Sequence, residues 1–176
     1  MSRVNYTKHF GDKTQGPLQH TLLLSLVEKP LQDPPLSEQD REQSFLVTSM
    51  AKKNTPMVCG FLGNSEFNKG LLLANIAYQT KNKVLLVTQE LINDLSTSDL
   101  AKLIAQTQQQ NAIIYFEFAD DLLNDNIDYA DTDEQINLDL LFSVIEKYQG
   151  LVIFSLTQFE SAERLKARHI SVLATH

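Results

Sequence analysis

The sequence predicts an α/β fold built on a parallel sheet. Five short apolar runs lie between Pro56 and Leu173, and a stretch with helical apolar spacing fills each gap between them. Composition agrees, with 43% hydrophobic and 21% charged residues, close to the average of globular chains. Apolar runs of this length are strands buried on both faces, and parallel strands joined by helical crossovers produce that pattern. A three-layer sandwich is therefore expected.

The elements follow in order. Met1–Gln19 is mostly polar, with Gly11, Gly16 and Pro17 and no apolar period, so it reads as a loose arm. Leu22–Val27 is apolar apart from Ser25, and Glu28-Lys29-Pro30 follow where a signal peptide would carry small residues. A buried strand or helix is expected there. Pro30, Pro34 and Pro35 forbid a helix until Ser37, which caps one running to about Lys52. Residues 1–53 are thus an arm and a helix, and residues 54–176 the α/β unit, together one compact domain.

Within that unit the strands are expected at Pro56–Leu62, Lys83–Val87, Ala112–Phe118, Leu151–Leu156 and Ile170–Leu173. Helices are expected at residues 68–80, Thr97–Gln109, Gln135–Tyr148 and Phe159–Arg168.

The turn after the first strand reads Gly63-Asn64-Ser65-Glu66-Phe67-Asn68-Lys69-Gly70. A phosphate loop needs Gly, four residues, Gly-Lys and a hydroxyl, between a strand and a helix. Gly63 and Lys69 fit. Asn68 stands where the second Gly belongs, and Gly70 where the Mg²⁺-binding hydroxyl belongs. Glu66 sets a carboxylate among amides that would have to wrap a polyphosphate. The third strand ends Ile113-Ile114-Tyr115-Phe116-Glu117-Phe118-Ala119-Asp120.

From about Asn54 onward the chain resembles the large subdomain of an AAA+ ATPase, a P-loop NTPase fold. Residues 112–123, AIIYFEFADDLL, are similar to that family's Walker B strand and the run after it. Residues 136–154 resemble the next helix and the sensor-1 strand. The resemblance covers about two thirds of the chain and implies a five-stranded parallel sheet of order 5-1-4-3-2.

The same resemblance implies a weakened site. Lys69 matches the phosphate-binding lysine, and Glu117 takes the place of the Asp that coordinates Mg²⁺. Phe118 takes the place of the glutamate that polarises water, and a phenyl ring accepts no proton. Sensor 1 falls near Thr157 or Gln158, and Lys166 and Arg168 lie near the arginine-finger position. Leu91–Thr97 lacks the pore loop's aromatic residue. The sequence given ends at His176, just past the fifth strand, so neither a helical lid nor its sensor-2 arginine is expected. A vestigial nucleotide site of Gly63, Asn68, Lys69, Gly70, Glu117 and Thr157 is what the resemblance leaves.

Other signals are weaker. Asp121, Asp125, Asp128, Asp131 and Asp133 fall in a stretch from Glu117 to Asp139 without Lys or Arg. No EF-hand register supplies Gly at the sixth and Glu at the twelfth position, so this is a solvated acidic loop and a docking surface for a basic partner. His9, His20, His169 and His176 have no ligand spacing, and one cysteine, Cys59, forms no internal disulfide. No metal site is expected, and Cys59 reads as a buried small apolar residue. The net charge is −7 and the pI near 5.0. Nucleic acid and anionic membrane are poor partners for such a chain.

Two functions follow. The first is a non-catalytic AAA+-like module, cytoplasmic and without a cofactor, that binds a protein partner such as an active AAA+ relative or itself. The second is a nucleotide-binding switch or very slow ATPase that uses Lys69 and Glu117 and binds ATP and Mg²⁺ weakly.

Overall fold

A computed structural model describes residues 12–15, 22–25, 36–124 and 137–175. The described residues begin with two strands, β1 (Asp12–Gln15) and β2 (Leu22–Ser25), followed by helix α1 (Glu38–Lys52). Next come β3 (Met57–Leu62), α2 (Glu66–Thr80), β4 (Val84–Val87), α3 (Gln89–Asp94) and α4 (Thr97–Thr107). The order ends with β5 (Ile113–Phe116), α5 (Ala119–Asn124), α6 (Leu138–Lys147), β6 (Leu151–Leu156), α7 (Phe159–Ala167) and β7 (Ser171–Ala174).

The sheet has seven strands in the order β1-β2-β4-β5-β6-β3-β7. Its five parallel strands are those expected, and read from β7 their order is 5-1-4-3-2. The expected five-stranded sheet is extended, however. β2 pairs antiparallel with β4, and β1 with β2, so the run from Leu22 is a strand. The loose arm expected over Met1–Gln19 is corrected in part, because Asp12–Gln15 is strand β1. Its polar residues show no apolar period, and pairing through backbone groups needs none. Residues 1–11 and 16–19 lie outside the described residues.

Successive strand residues divide between two apolar clusters, as the two-residue period of a strand requires. Leu85, Val87, Ile114, Phe116, Val152 and Phe154 join α4, α6 and α7 residues in one. Val84, Leu86, Ile113, Tyr115, Leu151 and Ile153 join α1 and α2 residues in the other. Within the first cluster Phe154 stacks between Phe116 and Phe142, at centroid distances of 4.6 and 5.6 Å.

Helix starts are fixed locally. Ser37, Ser65, Thr88, Ser96 and Asn137 each accept the backbone N–H three residues on. Each such cap is worth about 1 kcal/mol.

Candidate functional site

The candidate site lies where β3 meets α2, beside the C-terminal ends of β5 and β6. Ser65 accepts the Asn68 N–H at 3.1 Å and its carbonyl accepts the Lys69 N–H at 3.1 Å. Helix α2 therefore begins at Glu66 rather than at the residue 68 expected from apolar spacing. The turn out of β3 is reduced to Gly63, Asn64 and Ser65.

That early start places Glu66 one helical turn before Lys69 and on the same side of α2. The Lys69 ammonium pairs with Glu66 Oε1 at 2.5 Å and donates to the Leu156 carbonyl at 2.8 Å. Lys69 is fully enclosed. The Ser155 hydroxyl, also buried, donates to Glu66 Oε1 and Oε2 at 3.0 and 3.1 Å. Tyr115 lies against the same group. Its phenol is held protonated by burial first, then by the charge of Glu66 and more weakly of Glu117, against a hydrogen bond with Ser155. The result is a buried polar network that joins α2, β5 and β6.

Gly63 has a different neighbour. Thr175, just past β7, donates its backbone N–H to the Leu62 carbonyl at 2.7 Å and its hydroxyl to the same oxygen at 3.2 Å. A Cβ at position 63 would overlap Thr175 Oγ1 and come within 2.9 Å of the Thr175 carbonyl oxygen. Only glycine fits beneath that crossing.

Glu117 is buried beyond the end of β5, and Phe118 follows with φ of 49°. That left-handed conformation is an outlier for a bulky side chain and costs about 1–2 kcal/mol. Thr157 follows Leu156, whose carbonyl accepts from Lys69, and its own polar groups turn to Asp120. Its backbone N–H and hydroxyl both donate to Asp120 Oδ2 at 2.9 Å, and the Gln158 N–H donates to Asp120 Oδ1 at 3.0 Å. Asn124 adds hydrogen bonds to Gln158 and Ser161.

The expected site residues thus divide. Gly63, Asn68, Lys69 and Gly70 belong to one turn and helix, and Glu117 is brought to the same network through Tyr115. Thr157 belongs to a second group around Asp120. Asp121 is exposed on α5, and Asp125, Asp128, Asp131 and Asp133 lie outside the described residues. Cys59 is buried in β3 and its thiol is pushed up to about 12 by desolvation, which keeps it a neutral thiol.

Ser155, Tyr115 and Asp120 were not legible as site residues. In sequence Glu66 reads as a loop carboxylate opposed to phosphate, and its three-residue spacing from Lys69 is the signal that would have found the ion pair.

No protein-family model matches the sequence, and no curated protein matches it. Solved structures do. The FIGL-1 AAA domain in complex with ADP matches with a TM-score of 0.56 and 14% identity, over 79% of this chain and 53% of that one. A structure that concerns katanin self-assembly matches with a TM-score of 0.58 and 13% identity, over 81% and 52%. The fold is that of an AAA domain. At these identities the likeness is one of fold, and the chain spans about half the length of each of these AAA structures. On this fold the turn after β3 is held by the Glu66–Lys69 pair and the Gly63–Thr175 crossing.

Proposed function

We propose that the chain is a non-catalytic AAA+-like module acting as a protein-binding, scaffolding or regulatory domain. The observation that carries this reading is Lys69, enclosed and already paired with Glu66. The residues present do not fit a triphosphate with Mg²⁺. The Lys69 charge is matched internally, Thr175 crosses beside Gly63, and Gly70 offers the metal no hydroxyl. Phe118 supplies no base for water.

In the same reading the two apolar clusters are the helix–sheet interfaces of a three-layer sandwich, and residues 1–53 and 54–176 form one compact domain. The acidic stretch with Asp121, Asp125, Asp128, Asp131 and Asp133 docks a protein partner, an active AAA+ relative or a second copy. No cofactor is required, and the module is cytoplasmic. Among the described residues no helix is long and apolar enough to cross a membrane.

A nucleotide-binding switch is the second reading. It draws on the ADP held by the FIGL-1 domain and on Glu117, whose charge acts on Tyr115 as does that of Glu66, the partner of Lys69. A titration with fluorescent ATP and Mg²⁺ separates the two. The module reading expects no saturable binding below about millimolar. Micromolar binding that disappears in Lys69→Ala would establish the switch.

A further inference from the structure

Helix α1 is packed against the usual rule. Its buried residues are Asp40, Ser44, Val47 and Thr48, three of them polar. Ser44 Oγ and Thr48 Oγ1 have no hydrogen-bond partner among the described residues, and Gln43 Nε2 donates to the Ala174 carbonyl at 2.7 Å. Phe45 and Leu46 face the other way, 73% and 51% exposed. An amphipathic helix that only covers a core turns such residues inward. No other adjacent pair of large apolar side chains is exposed among the described residues.

Charge on the same face is arranged about Phe45. The helix runs Glu38–Lys52, so Phe45 is its midpoint. Glu38 and Lys52 each lie seven residues from it, two turns and about 10 Å along the axis, and therefore share its face. Arg41, Glu42 and Ser49 flank it at the i−4, i−3 and i+4 positions. Glu38, Arg41, Glu42, Lys52 and Lys53 are exposed, and none has an ion-pair partner among the described residues. The first half of the face is thus net acidic, two carboxylates to one guanidinium, and its far end carries two lysines. The helix dipole favours that order within the terminal turns. It explains neither Glu42, beyond the first turn, nor the exposed phenyl ring.

We infer that α1 is a docking face for α1 of a second copy of this chain, the two helices antiparallel about a twofold axis at Phe45. Such an interface is isologous, so each contact occurs twice. Antiparallel pairing sets Phe45 against Phe45 and brings Glu38 and Glu42 of each copy toward Lys52 and Lys53 of the other. Each helix N-terminus then lies beside the other's C-terminus, which the dipoles favour. Parallel pairing would instead set carboxylates against carboxylates. Charge complementarity selects the second copy as occupant, because the face is its own complement. The inference rests on the protein-binding reading and names its partner, and ATP titration tests that reading separately.

Sedimentation velocity on the full chain at low salt tests the docking face. The mass should rise with concentration to twice the 19.9 kDa monomer and no further, since a twofold interface closes. Phe45→Glu should hold the chain monomeric with its circular dichroism unchanged, because Phe45 is exposed. Glu38→Lys with Glu42→Lys should abolish the dimer, as should Lys52→Glu with Lys53→Glu. The two double variants mixed should form a dimer again, which a folding defect would prevent. Glu42→Cys and Ser49→Cys chains should cross-link to each other on mild oxidation rather than each to itself, with Cys59 buried and out of reach. A wild-type monomer at every concentration, a dimer indifferent to Phe45→Glu, failure of the mixture, or preferential self-cross-linking would overturn the inference. So would a monomer that Phe45→Ala destabilises, which would place the cover of Phe45 within its own chain. These failures would leave the protein-binding reading standing, whereas micromolar ATP binding by an intact dimer would overturn that reading alone.

Discussion

Lys69 and Glu66 form an ion pair one turn apart on α2, with the lysine fully enclosed and the carboxylate side chain 13% exposed. Both ends are further satisfied, the amine by the Leu156 carbonyl and the carboxylate by Ser155. Burying an ammonium is costly unless it is paired and hydrogen-bonded, so the pair is a condition of this packing.

Removing one partner should therefore cost more than replacing the cation. Glu66→Ala strands the enclosed ammonium and should lower stability by about 3 kcal/mol. Glu66→Gln keeps a hydrogen-bonding oxygen and should cost less. Lys69→Met should cost least, because Glu66 keeps Ser155 and its exposed edge. Urea denaturation midpoints at unchanged m-value test the ranking.

Gly63 and Thr175 should behave as one unit. Gly63→Ala forces a Cβ into the crossing chain and should cost about 1–3 kcal/mol. Thr175→Gly removes the hydroxyl and Cβ, so the double variant should recover part of that loss. Strict additivity in the double-mutant cycle would contradict the contact.

The α/β alternation, the strand order and Cys59's burial were legible because each rests on apolar periodicity or on several segments agreeing in order. The network was not. Glu66 looked like a charge opposed to phosphate, and only the early helix start at Ser65 turned it toward Lys69. Thr157 looked like a phosphate ligand until Asp120, distant in sequence, accepted its hydroxyl and N–H. Strand β1 was hidden for a third reason, since backbone pairing leaves no mark on side-chain pattern.

Asp120 ties the end of β6 to α5 through three hydrogen bonds. Asp120→Ala should destabilise by about 2–3 kcal/mol, since bonds to a charged acceptor are the stronger kind. Asp120→Asn should recover part of it. Thermal melts of the two variants measure the difference.

Alkaline pH should unfold the chain through its buried acids. The Cys59 thiol titrates near 9.0 when unfolded and is pushed up to about 12 in the fold by burial. Burial likewise raises the phenols of Tyr115 and Tyr148. Above pH 9 the unfolded thiol releases a proton that the folded one retains, so stability falls as pH rises from about 9 toward 12. Each fully shifted group contributes a slope of about 1.4 kcal/mol per pH unit. In Cys59→Ala the fall should be shallower and begin later, and an unchanged slope would contradict the account.

The central claim is that the Lys69 charge is already committed to Glu66. Nitrogen-15 NMR of the lysine ammonium groups, with Lys69→Met for assignment, tests it most directly. The account predicts one solvent-protected ammonium signal that stays in place when millimolar ATP and Mg²⁺ are added. A Lys69 signal that shifts saturably with nucleotide would contradict it.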